Sequence, residues 1–208
     1  MGGYKSTKIL KTTTREETIM NLTEPIRNKH KVNKLIKYYA KRGETRNCLL
    51  ITLCVHTALR ISDVLLLNHN DVYDDKQNVL PNITIREKKT GKTKIVALNK
   101  RVIAALKAHM PNSVPSAPLI INPRTQNAIS RIQAYRLIQK AAKAIKVEQR
   151  VSCHSLRKTF GYHAWKDGVS PAIIMDIYNH SSFAVTKRYL GVTQDDKNNV
   201  YLRLSFAV

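Results

Sequence analysis

Acidic residues are scarce in this 208-residue chain: 14 Asp and Glu stand against 36 Lys and Arg, a formal charge of +22. So one-sided a charge repels itself in the folded state and is tolerated mainly where a polyanion neutralises it, which leaves DNA, RNA and anionic membrane as partners. Long apolar runs are missing as well. The most apolar stretch, residues 48–55, is far shorter than the roughly 20 residues that cross a bilayer, and no basic-then-apolar signal peptide opens the chain. A soluble, cytoplasmic protein with no membrane partner is expected. The three cysteines, Cys48, Cys54 and Cys153, have neither metal-site spacing nor a disulfide framework and read as buried small hydrophobes. Only 7 Gly and 7 Pro accompany 43% hydrophobic residues, which excludes collagen-like and disordered chains. Aromatics at 6%, with no aromatic-rich strand surface, argue against RNA recognition and leave double-stranded DNA.

What is present is concentrated. Residues 85–158 hold seventeen Lys and Arg but two acids, so this block is expected to face phosphate. Within it and beside it, Lys88, Lys92, Lys94, Arg131, Arg136 and Lys158 are candidate DNA contacts.

Pattern along the chain predicts an α+β architecture, mainly helical with one small antiparallel hairpin. Residues 1–22 lack an apolar period and read as a flexible basic arm; the main domain spans 23–192 and a tail 193–208. A first helix is expected from Thr23-Glu24-Pro25, with Thr23 as cap, to Gly43. A second runs from about Thr45, and a third from about Ser62, capped by Ser62 or Asp63. Residues 82–86 and 93–98 alternate apolar and polar around Thr90-Gly91, a hairpin with a lysine-rich tip. Helical periodicity returns at 100–109 and breaks at Pro111, Pro115 and Pro118. Further helices are expected at about 128–146, 153–166, 170–178 and 182–189, followed by a polar link at 193–199 and an apolar patch at 200–206.

Four islands carry chemistry. Thr57-Ala58-Leu59-Arg60-Ile61-Ser62-Asp63 places an arginine at a helix junction, where it can reach a phosphate or pair with Asp63. Lys88-Lys89-Thr90-Gly91-Lys92 forms the hairpin tip. His154-Ser155-Leu156-Arg157 sets a titratable ring and a guanidinium on one helix face. Asn179-His180 is followed nine residues on by Tyr189. No acidic cluster able to hold two Mg²⁺ ions is visible, so no metal or other cofactor is expected and arginines must balance any charge that develops on a phosphate.

In this order and separation the islands resemble the tyrosine recombinases, the integrase family. Thr57-Ala58-Leu59-Arg60 is similar to the family's Thr-Gly-Leu-Arg, Lys89-Thr90-Gly91 to its hairpin lysine, and residues 154–160 to its His-x-Leu-Arg box; the resemblance spans about residues 24–192. It implies Tyr189 as nucleophile on a DNA phosphodiester, Arg60 and Arg157 as clamps on the non-bridging oxygens, and His154 as base. It also implies Lys89 as general acid on the 5′ oxygen, His180 as a phosphate contact and Asp63 as support without chemistry of its own. A register slip in the hairpin would exchange Lys89 for Lys88 or Lys92. The product implied is DNA joined through a 3′-phosphotyrosyl intermediate, giving integration, excision or inversion. The partners implied are a homotetramer on DNA and an accessory directionality factor, and Val200, Leu202, Leu204 and Phe206 would anchor the tail on a neighbouring protomer or on its own domain. The competing outcomes are type IB topoisomerase-like relaxation and a non-catalytic DNA-binding regulator. Many members carry a separate amino-terminal core-binding domain; with about 22 residues before the resemblance begins, a form without it is expected, naturally short or a fragment. Two departures stand out. Ala58 replaces the usual Gly, harmless where φ is negative, and Tyr178-Asn179 replaces Leu-Gly, with Asn best suited to keep a left-handed turn.

Overall fold

The structure, a computed structural model, describes residues 23–110 and 114–206. The basic arm expected at 1–22 and the break at Pro111 lie outside them. The described elements are helices α1 (Lys29–Ala40), α2 (Thr45–His56) and the single turn α3 (Ile61–Val64), strands β1 (Asn82–Arg86) and β2 (Thr93–Ala97), then α4 (Lys100–His109), α5 (Arg131–Ala144), α6 (Cys153–Lys166), α7 (Pro171–Tyr178), α8 (Phe183–Leu190) and α9 (Gln194–Arg203). The α+β expectation, mainly helical with one antiparallel hairpin, is what the fold shows.

Helix α2 is the axis of the main core. Every residue from Leu49 to Val55 is buried, and α1, α4 and α6 pack around it, so an apolar run too short for a membrane becomes a central helix. A second, smaller cluster joins Ala58, Ile174, Tyr178 and Leu190, with Phe160, Trp165 and Tyr189 against its edge. That cluster seats α7 and α8 on α6. Strand β1 turns Ile83 and Ile85 inward and pairs with β2 in the register Thr84 to Ile95.

Local capping fixes the element ends. Ser152 accepts from the backbone N–H groups of His154 and Ser155 and starts α6, Ser130 with Gln133 starts α5, and Ser170 with Pro171 starts α7.

Several expectations are corrected. The first helix begins at Lys29, capped by Asn28, and not at Thr23, because Ile26 is buried and its N–H donates to Thr159 Oγ1 at 2.9 Å. Tertiary bonding there displaces the helical start. Neither Ser62 nor Asp63 caps α3; Arg60 holds the cap position and Asp63 is buried inside the turn. The polar link at 193–199 is helical, opening α9 through a Thr193–Asp196 capping box. Ala58 has φ +55, in the left-handed region, so the condition under which its replacement of Gly is harmless is not met. Asn179 does take the left-handed cap, with φ +53. Among the cysteines, all free, Cys54 is buried while Cys48 and Cys153 are partly so.

Candidate active site

One cleft of about 970 Å³ gathers side chains from the α2–α3 junction, the hairpin tip, α5, α6 and α8. Arg60, Lys89, His154, Arg157, His180 and Tyr189 all line it, together with Lys88, Arg131 and Tyr135. Among the described residues, five cations and no carboxylate line this cleft. The N-terminus of α6 also opens into it through Ser152, Cys153 and His154, adding the positive end of a helix dipole.

Tyr189 sits between two imidazoles. Its ring centroid lies 4.8 Å from that of His154 and 4.5 Å from that of His180, both edge to face. Helix α8 provides this by carrying Tyr189 at its penultimate position, while the left-handed Asn179 turns the chain so that His180 enters the cleft. His180 Nδ1 is 3.0 Å from the buried hydroxyl oxygen of Thr186.

The two arginines are held differently. Arg157 is 2% exposed; its Nη1 donates to the carbonyl oxygen of Ala58 and its Nη2 to that of Tyr178 at 2.9 Å. Arg60 is more open, with Nη1 2.8 Å from Glu87 Oε1, an ion pair that departs from linear hydrogen-bond geometry. Asp63 lies under the hairpin, where Oδ1 accepts from the backbone N–H of Lys88 at 3.1 Å.

Electrostatics follow from this crowding of cations. Burial first, then Arg157 and Arg60, hold His180 down to about 4, and burial with Lys158, Arg157 and Arg60 likewise lowers His154, although its ring meets the water of the cleft. Both shifts favour the neutral imidazole in the DNA-free cleft. Glu87 goes the other way: burial would raise it, but hydrogen bonds from Thr90 and Asn179 and the Arg60 guanidinium beside it outweigh that and set it at about 2.

Not every basic residue singled out from sequence comes to the cleft. Lys88 and Arg131 do; Arg136 is exposed in a separate groove with Arg46, Arg124 and Lys140. Lys92 Nζ donates to Asn179 Oδ1 at 3.2 Å. Lys94 is partly buried, its Nζ donating to the carbonyl oxygen of Ile177 at 2.6 Å, and burial, with Arg157 next, lowers it to about 8. Lys158 is buried, donating to the carbonyl oxygen of Thr23 at 2.6 Å with its Nζ 5.6 Å from the centre of the Tyr189 ring. Lys94 and Lys158 thus bond backbone carbonyls of their own domain and are not among the residues lining the cleft. Sequence reasoning missed Glu87, although the inward alternation Ile83, Ile85 continues to it and was the available signal. Among the described residues no group of three or more His, Cys, Asp and Glu could hold a metal ion, and no helix is long and apolar enough to cross a membrane.

This fold is that of a tyrosine recombinase catalytic domain. The chain belongs to the phage integrase family, which matches it over residues 27–196. It is 32% identical over 182 residues to the probable integrase/recombinase YoeC of Bacillus subtilis, covering 88% of this chain and 97% of that protein. It is 30% identical over 166 residues to the tyrosine recombinase XerC of Thermodesulfovibrio yellowstonii, covering 75% of this chain but 53% of that one. The chain therefore spans nearly all of the first relative and about half of the second. The crystal structure of XerA recombinase superposes with a TM-score of 0.72 at 21% identity, over 88% of this chain and 67% of that one. The catalytic domain of bacteriophage HP1 integrase gives 0.58 at 18%, over 86% and 95%. At such identities the structures show a shared fold.

Proposed function

We propose that this protein cuts and rejoins duplex DNA at defined sites through a 3′-phosphotyrosyl intermediate. The observation that carries the reading is Tyr189 flanked by the imidazoles of His154 and His180 in a cleft lined by five cations. In the proposed step the Tyr189 oxygen attacks phosphorus, its proton passes to His154, and the bond from phosphorus to the 5′ oxygen breaks as Lys89 supplies a proton to that oxygen. Arg60 and Arg157 donate to the non-bridging oxygens, where removal of one preorganised donor costs on the order of 100-fold in rate. If Thr186 donates to His180 Nδ1, the Nε2–H is left to face the phosphate.

The phosphotyrosyl link retains the energy of the broken bond, so rejoining needs no nucleotide. Attack by the original 5′ hydroxyl gives relaxation; attack by a hydroxyl of a second duplex gives recombination. Recombination is favoured by the relatives, one named a probable integrase/recombinase, and by the site-specific XerH recombinase bound to its difH substrate, which shares the fold. Residues 23–192 form the catalytic unit of this proposal and 193–208 a tail that reaches a neighbouring protomer in a tetramer; residues 1–22 would act as a basic arm. A directionality factor and a cytoplasmic setting belong to the same reading.

A nicked suicide duplex carrying a candidate element end tests it. An SDS-resistant protein–DNA adduct that disappears in Tyr189→Phe is the expected result. An adduct that persists in Tyr189→Phe removes Tyr189 as nucleophile, and no adduct on any such end favours the DNA-binding regulator.

A further inference from the structure

Glu87 is a buried carboxylate. It lies 1% exposed at the third inward position after Ile83 and Ile85. An ionised carboxylate taken out of water costs several kcal/mol unless paired and hydrogen-bonded, so its partners are part of the fold's logic. They come from three separate segments. Arg60 Nη1 of the α2–α3 junction lies 2.8 Å from Oε1. Thr90 Oγ1 of the hairpin tip and Asn179 Nδ2 of the α7 cap donate to Oε2 at 2.7 and 3.1 Å.

Asn179 closes the circuit. Its Nδ2 also reaches Thr90 Oγ1 at 3.3 Å, and its Oδ1 accepts from Lys92 Nζ at 3.2 Å. One strand further on, Lys94 Nζ bonds the α7 carbonyl of Ile177. A two-stranded hairpin is marginally stable by itself, so these ties, with Asp63 Oδ1 on the Lys88 N–H, govern where its tip rests. The tip carries Lys89, and the residue after Asn179 is His180. The side chain that stands where the family commonly has glycine thus joins two walls of the cleft.

We infer that Glu87 and Asn179 are positioning residues that latch the lysine hairpin to the α7 cap and so deliver Lys89 to the leaving oxygen. The inference rests on the reading of Lys89 as general acid. Asn179→Gly isolates the latch, because glycine adopts φ +53 without strain and only the side-chain bonds are removed.

Single-turnover cleavage is compared on two suicide duplexes, one ordinary and one with sulfur replacing the 5′ bridging oxygen at the scissile phosphate. A thiolate leaves without protonation, so this substrate has no need of a delivered lysine. Asn179→Gly is expected to slow cleavage of the ordinary duplex by about 100-fold, the scale of a misplacement of about 1 Å, to recover on the sulfur duplex, and to bind DNA as wild type does. Lys89→Ala run in parallel is expected to recover in the same way. Recovery of Lys89→Ala without recovery of Asn179→Gly overturns the latch and leaves the general acid standing. Failure of Lys89→Ala to recover overturns the general acid, and the latch with it. Glu87→Gln, which keeps the shape and drops the charge, is expected to slow cleavage in the same direction and to gain from sulfur; wild-type rates in either latch variant on the ordinary duplex overturn the proposal.

Discussion

The hydroxyl of Tyr178 donates to the carbonyl oxygen of Arg157 at 2.6 Å, and Arg157 Nη2 donates back to the carbonyl oxygen of Tyr178 at 2.9 Å. The guanidinium carbon also lies 4.7 Å from the centre of the Tyr178 ring. Burial raises the Tyr178 phenol well above its ordinary range, so it stays a neutral donor. One arginine of the cleft is therefore oriented by a tyrosine that never meets the substrate.

Gly161 tests that arrangement. A Cβ there would overlap the Tyr178 hydroxyl and ring. Alanine in a helix interior normally gains about 1 kcal/mol over glycine, whereas overpacking costs about 1–3 kcal/mol. Because the hydroxyl is pinned by its bond to Arg157, overpacking is expected to win. Gly161→Ala should lower stability by up to about 2 kcal/mol in denaturant unfolding and lose covalent adduct; a higher midpoint would show that Tyr178 gives way freely.

The depressed imidazoles predict a pH dependence of both stability and binding. Between the ordinary value of 6.5 and about 4 the unfolded chain binds protons that His180, and in the same direction His154, refuse in the fold. Stability of the DNA-free protein should therefore fall as pH drops from 6.5 towards 4, and less steeply in a His154→Asn, His180→Asn double variant. Phosphate in the cleft raises imidazole pKa, so DNA affinity should rise over the same interval; calorimetry that detects no proton uptake on binding near pH 5.5 would count against phosphate contact by these rings.

Basic residues should divide into two classes. Lys88→Ala and Arg131→Ala, at exposed positions on the cleft, are each expected to lower the slope of log affinity against log salt by about 0.9, the value of one DNA phosphate left without its cation. Lys94 and Lys158 spend their ammonium groups on carbonyls inside the protein. Their replacement by Met should leave the slope unchanged and lower the melting temperature. Equal slopes across all four variants would abolish the distinction.

The helices and hairpin were legible because periodicity is local, whereas the caps expected at Thr23 and at Ser62 or Asp63 gave way to Asn28 and Arg60. The six cleft residues were legible as spaced islands and as a resemblance, which no single island carried. Two things were not legible, for a common reason. Lys158 reads as one more surface cation until Thr23, 135 residues away, supplies its partner, and Glu87 reads as a polar strand end until Arg60 and Asn179 surround it. Local charge does not disclose long-range partners. Ala58 shows the same limit in the backbone. The strain of φ +55, about 1–2 kcal/mol, holds where Ala58 packs fully buried beside Tyr178 and lends its carbonyl oxygen to Arg157.

The tail makes a separate prediction. Helix α9 is tied back through Asp196 to Lys166, yet Val200, Tyr201, Leu202, Leu204 and Phe206 are all more than half exposed. Deleting residues 194–208 is expected to leave DNA binding in place and to impair synapsis and cleavage, measured by gel shift and by strand exchange between two sites. Complete recombination by the shortened protein would show that these side chains have no partner in the reaction.

The segment before α1 has a bearing on how the chain is made. Ile26 waits for Thr159, 133 residues later, and Arg27 waits for the carbonyl of Gly191, 164 residues later. At about 5–20 residues per second of synthesis, the first of these partners follows by about 7–27 s. These early residues thus cannot make their native bonds until nearly the whole domain has been synthesised.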